Sequence, residues 1–341
     1  MLRFLSSLFS SPEQQAGRLN DALIDAAIER AVDGTDARIR ALRNYHKRLR
    51  GSVVCAAEHV IDLVDRLPAA TEISKATFAS DSRIRAFFVS PDHLRDVVNG
   101  FEMLQAYLRT VAGPLPDQIF GLLTVAQQER TVFGMALAGE QVRRDVKQVA
   151  VNFSDHRFGG PTGTEADTRW ELKKRGYDFL LERALARITN VKSKRAELEG
   201  QQQLLMQKRK TMQAGHWGLE LGAAERASGA TDVQVLENEI AAIESQLRAL
   251  GADAATIESS LEVLTDTLTQ PDLWLSMRTT TLDIDYQGIK VAELANNARH
   301  LELLELCSGD SLRRVALFGA IPRTEIPEHP DPLEQVSRYL I

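Results

Sequence analysis

The sequence predicts a mainly α-helical protein: a helical N-terminal region and a small mixed α/β part, with a long antiparallel coiled-coil hairpin inserted. Three observations carry this. An unbroken heptad seam runs near residues 236–268, a looser one precedes it, and the two segments carry opposite charge. β-branched, alternating stretches also stand on both sides of the pair.

The second arm spans 231–269. Leu236, Ile240, Ile243, Leu247, Leu250, Ala254, Ile257, Leu261, Leu264 and Leu268 alternate by four and three. A period of 3.5 stays on one face only when helices supercoil. Thr231 with Gln234 forms an expected capping box, and Pro271 stops the helix. The first arm, 166–212, places Tyr177, Leu181, Ala184, Ile188, Val191, Leu198, Leu205 and Met212 on its seam. Arg195, Gln202 and Arg209 fall there too. Its N-cap is expected at Thr162 or Thr164, after Gly159-Gly160-Pro161.

Charge separates the arms. Residues 169–212 hold twelve Lys or Arg and five Asp or Glu, whereas residues 231–269 hold one Arg and eight acids. Like arms repel and unlike arms attract, so an intrachain hairpin is expected, with the acidic arm answering the basic one. The tip, 213–230, carries Trp217, Leu219 and Leu221, an expected contact for a protein partner.

Outside the hairpin, 13–125 reads as helical, with helices near 36–66, from Pro91, and at 117–128. Residues 126–160 read as β elements around Thr131–Leu137 and Gln148–Phe153. Residues 271–341 read as a small α/β region: a strand near 279–286, a helix over 292–307, a strand at 314–321 and a Pro-rich tail. The C-terminal part is expected to pack with 126–160.

Residues 1–12 form a short amphipathic N-terminus. Leu2, Leu5, Leu8 and Phe9 fall at helical spacing and are the candidate membrane contact. No apolar run approaches the roughly 20 residues that span a bilayer. Two cysteines, Cys55 and Cys307, give no disulfide framework, and the expected setting is cytoplasmic, with a peripheral place at a membrane's inner face as the variant. A net charge of −6 argues against a general nucleic-acid binder.

Catalytic signatures are absent: there is no Walker A, GxSxG, HExxH or CxxC sequence. Cys55 and His59 lie four apart on a helix beside Glu58, which is half a zinc site; a buried thiol and histidine is the plainer reading. Asp155-His156 follows a strand. Asp283 and Asp285 alternate on another strand and could share a divalent cation, but the solvated face of a half-exposed strand explains the alternation without chemistry and is the plainer reading. No catalytic, cofactor or metal residue is therefore assigned. The expected function is a non-enzymatic interaction or scaffold component presenting a rigid helical arm to another protein. The alternatives are a peripheral membrane subunit held by residues 1–11, and an enzyme with a metal-dependent site.

Overall fold

A computed structural model describes residues 20–111, 113–138, 141–214, 223–249, 257–291, 298–309 and 312–326. Its helices are α1 (Asp21–Gly34), α2 (Tyr45–Asp65), α3 (Lys75–Ser80), α4 (Ser82–Phe87), α5 (Pro91–Asn99), α6 (Glu102–Thr110), α7 (Glu165–Ala214), α8 (Ala223–Ala249) and α9 (Ile257–Thr269). Its strands are β1 (Thr71–Glu72), β2 (Gln118–Ala138), β3 (Gln141–Thr162), β4 (Ser276–Ile284), β5 (Arg299–Ser308) and β6 (Leu312–Pro322). Contacts divide the chain into two units, Met1–Ala57 with Tyr177–Pro271, and Glu58–Gly176 with Asp272–Ile341. Helices α2 and α7 each continue from one into the other.

The fold is mixed α/β, not mainly α with a small β part. Among the described residues strand makes up 27% beside 58% helix, and the strands form one six-stranded sheet. The order is β3-β2-β6-β5-β4, antiparallel throughout, with β1 added parallel to β6. Two expected helices are strands. Residues 117–128 begin β2, where Ile119, Leu123 and Val125 are buried at even spacing. Residues 299–308, expected inside the 292–307 helix, are β5, paired from Ser276↔Cys307 to Ile284↔Arg299 with β4. Leu and Glu favour helix intrinsically, and Leu301 with Leu304 suits a helical face. Pairing with β4 from Arg299 to Cys307, and with β6 from Leu304 to Ser308, overrides that propensity, and Leu301 and Leu303 are buried together.

Strand β6 organises the sheet unit. Val315 to Ile321 are buried without a break, the signature of a strand covered on both faces. On one face Leu282, Leu301, Leu317, Ile119 and Phe153 meet Ile84, Phe87, Phe88, Leu94 and Leu104 from α3–α6. On the other, Phe318 meets Val64, Leu67 and Leu172, the ends of α2 and α7 within this unit. Arg169 fixes that second layer. Its guanidinium lies 4.8 Å from the Phe318 ring centre and donates to Val64 O (2.9 Å), Leu67 O (3.1 Å) and Pro68 O (3.0 Å). Leu67 O and Pro68 O lie past the end of α2, and Val64 O also accepts from Leu67 N at 3.1 Å.

The outer strands are joined. Asp285 accepts from Gln287 N and Ile289 N, with Gly288 at φ +78, so the chain turns sharply after β4. Val151 N then donates to Gly288 O and Lys290 N to Val149 O, both at 2.8 Å. A sheet whose edges meet through such a turn must curl, and few edges stay open. Beyond Val125, β2 leaves β6 and continues with β3 alone as a two-stranded ribbon.

The helical unit is held at an acid. The Asp36 side chain is 8% exposed and accepts from Arg38 (2.8 Å), Lys192 Nζ (2.9 Å) and Ser260 Oγ (3.0 Å), tying α7 and α9 to the turn after α1. Arg38 first, then Lys192 and Ser260, hold its carboxyl far below the usual range. Arg30 binds Asp178 at 2.7 and 2.8 Å. Along α7, Tyr177, Leu181, Ala184, Ile188 and Leu198 are buried; on α8 and α9, Leu236, Ile240, Leu261, Leu264 and Leu268 are. Thr164 caps α7, accepting from Asp167 N at 3.1 Å. Position 231 lies inside α8, which begins at Ala223, and is not the start of the arm. The second arm is described as two helices, with residues 250–256 outside the described set.

Two predictions follow from this packing. Asp36→Ala should cost about 1–3 kcal/mol by chemical denaturation, the usual scale for leaving a buried donor, here the Ser260 hydroxyl, without its acceptor. A carboxyl with a depressed native value stabilises above its unfolded value and loses that as pH falls through the native one. The wild type should therefore lose stability below about pH 4, and the variant should lose less there. Secondly, a Cβ on Gly121 would sit 2.4 Å from the Phe158 ring, while one on Gly51 of α2 meets nothing within 4 Å. Gly121→Ala should destabilise by about 1–3 kcal/mol. Gly51→Ala should stabilise by about 0.5–1 kcal/mol. Matching effects of the two would contradict the β2–β3 register.

Candidate functional site

The residues singled out for chemistry are each occupied with structure. Asp155 and His156 are neighbours on β3 but serve different partners. Asp155, at φ +51, accepts from Arg314 (2.7 Å) and Arg157 (3.1 Å), which hold its carboxyl below the usual range. His156 Nε2 lies 2.7 Å from Phe87 O. A carbonyl only accepts, so geometry assigns the proton to Nε2. The ring stacks on Phe88 at 5.0 Å, with the His93 ring edge-on at 5.8 Å. His93 Nδ1 in turn accepts from Val89 N at 3.2 Å. Sequence reading passed over His93; the Ser90-Pro91 start of α5, which places it, was the available signal.

Asp283 and Asp285 do not share a ligand point. Asp283 is 2.8 Å from His300 Nδ1, whereas Asp285 lies beyond the end of β4 and caps the turn that follows. Cys55 Sγ is 3.5 Å from Thr269 O, and His59 Nε2 is 2.7 Å from Leu275 O. Among the described residues, no group of three or more His, Cys, Asp or Glu side chains is placed to hold a metal ion. No described helix is long and apolar enough to cross a membrane. Trp217, Leu219 and Leu221, and Leu2, Leu5, Leu8 and Phe9, lie outside the described residues.

The expected charge balance between arms is only partly met. Arg187 reaches Asp266 of α9 at 2.8 Å. Other basic groups of α7 pair within their own helix: Lys194 with Glu197, Arg195 with Glu199, and Arg175 with Glu171. Pairs spaced by three or four residues arise from helix geometry itself, so they form without the second arm.

What remains open is apolar. In the helical unit, α7 and α8 run side by side, with Gln202 Nε2 donating to Glu244 at 3.2 Å and Leu198, Leu236 and Ile240 closing the seam. Beside this seam lies a groove of about 390 Å³, lined by Gln201, Leu204, Leu205, Glu239, Ala242 and Ile243. Leu204 is 67% exposed and Val235, on the same face of α8 as Glu239 and Ala242, is 50% exposed. Large aliphatic side chains lining a groove and left in water at this level are characteristic of contact surfaces.

Compared with known protein families, curated proteins and solved structures, the chain matches none.

The His156 environment gives a pH prediction. Burial, above all, pushes its imidazole below the ordinary value. Stability is then complete above the unfolded value near 6.5 and is lost as pH falls from there through the native value. His156→Gln keeps a donor for Phe87 O without a titrating ring. Its denaturation midpoint should change less between pH 7 and pH 5 than that of the wild type. An identical pH slope in both would place the titration elsewhere.

Proposed function

We propose that the protein is a non-enzymatic interaction component whose α7–α8 helix pair binds another protein. The observation that carries this is the groove along Leu204, Leu205, Ala242 and Ile243, with Leu204 exposed at its rim. Two helices packed along one seam leave further apolar positions uncovered, and a third helix laid in such a groove buries them by ordinary ridge-in-groove packing. The groove is flanked by the polar ends of Gln201 and Glu239. A partner helix with apolar residues three and four apart, and a basic or amide group at its edge, complements it. Asp155, His156, Asp283 and Asp285 hold turns, strands or core contacts in place. Cys55 and Cys307 are free thiols, which suits a reducing cytoplasmic setting.

A photo-crosslinking residue at Leu204 or Val235, in the full chain expressed in its native cell, should yield one discrete adduct. The same residue at Val89, 84% exposed on the sheet unit, should yield none. Equal patterns from all three positions would contradict the assignment.

A further inference from the structure

We infer that the sheet unit binds an extended polypeptide segment in the cleft where β5 and β6 part. These strands pair only from Leu304↔Ala316 to Ser308↔Leu312. Before Leu304, β5 continues to Arg299 paired with β4 alone, and after Ala316, β6 turns to β2 and β1. A cleft of about 610 Å³ opens between them. Its walls include Glu302, Leu303 and Leu304 from β5 and Ala316, Leu317 and Phe318 from β6. Successive residues of a strand point to opposite faces, so three in a row can line one cleft only if it runs along the strand's edge. That edge is where main-chain N–H and C=O groups point, and among the described residues no ladder joins 299–303 to β6.

Two further features choose the occupant. The chain already places an extended segment on this side of β6: β1 pairs there in parallel, Thr71↔Gly319 and Glu72↔Ala320, and Ile73 N donates to Ala320 O at 2.8 Å. The charged groups of the wall are also balanced, Arg66 and Arg83 against Asp81 and Glu302, with Arg83 bound to Asp81 at 2.7 Å. A polyanion would meet as much repulsion as attraction, whereas a peptide main chain is neutral and brings alternating donors and acceptors. Within 299–303, His300 and Glu302 are exposed while Leu301 and Leu303 are buried, so the edge, at about 3.3 Å per residue, accommodates a short segment reading alternate residues. Thr279 and His300 stand at the β4 side and Phe87 at the helical side, giving the segment one polar and one apolar flank.

The inference is independent of the α7–α8 groove, and its test keeps the two apart. Random heptapeptides displayed on phage would be selected against the full chain, and the best binder synthesised. Hydrogen exchange should show its binding protecting amides within 299–303. N-methylating alternate residues of the peptide should weaken binding at least tenfold in one register and leave it within twofold in the other, since only alternate amides face a given edge. Leu204→Lys should leave the affinity unchanged. Failure to enrich any peptide, protection confined to other segments, or equal tolerance of N-methylation in both registers would overturn the proposal. So would protection of the same amides by free phenylalanine at comparable concentration, which would mark a small-molecule site instead.

Discussion

Continuous burial of β6 from Val315 to Ile321 is the constraint on which the sheet unit depends. The two antiparallel neighbours of β6 differ in origin: β5 is the adjacent strand, whereas β2 comes from a distant part of the chain. Here β2 comes from before the long helices and β5 from after them, so the polypeptide has to return across residues 177–271 before the core can close. Such long-range pairing is slow to form and depends on apolar burial to offset loop closure. Phe318 on one face and Leu317 on the other join the two layers through a single peptide bond.

The helical unit is arranged on a different principle. Its base is specified by buried polar contacts, with Asp36 receiving a lysine from α7 and a serine from α9, and Arg30 receiving Asp178. Farther along α7, among the described residues, Leu198, Leu236 and Ile240 are the buried seam and Gln202 donates to Glu244. Exposed helical ion pairs contribute only about 0.3–0.5 kcal/mol each. The exposed aliphatic side chains of this stretch, Leu204 and Val235, form the surface to which we assign binding.

Much of this was legible in the sequence, for identifiable reasons. The seam residues of α7 and α9 are legible because Leu and Ile at a strict 3.5 period have one physical reading. Strand β6 is legible because Val-Ala-Leu-Phe-Gly-Ala-Ile is short, apolar throughout and bounded by charged residues and proline. Strand β5 is not legible, because Leu-Glu-Leu-Leu-Glu-Leu serves a helix and a strand equally, and only pairing with β4 and β6 decides. Misreading it, together with the start of β2, made a mixed α/β fold look mainly helical. The chemistry candidates were visible as residues but their roles were not. Whether Asp155 faces a substrate or Arg314 depends on a partner 159 positions away. The Asp36 cluster joins three segments whose proximity no local pattern announces, and the open edge of β5 exists only because two strands diverge.

We propose that the outer α7–α8 pair serves binding and that the sheet holds without it. The most direct test is hydrogen exchange of the β6 amides, Val315 to Ile321, in a chain whose residues 196–246 are replaced by a short glycine-rich turn. The account predicts protection equal to that of the full chain. Loss of protection across β6 would show that the outer helices belong to the folding core, and would contradict it.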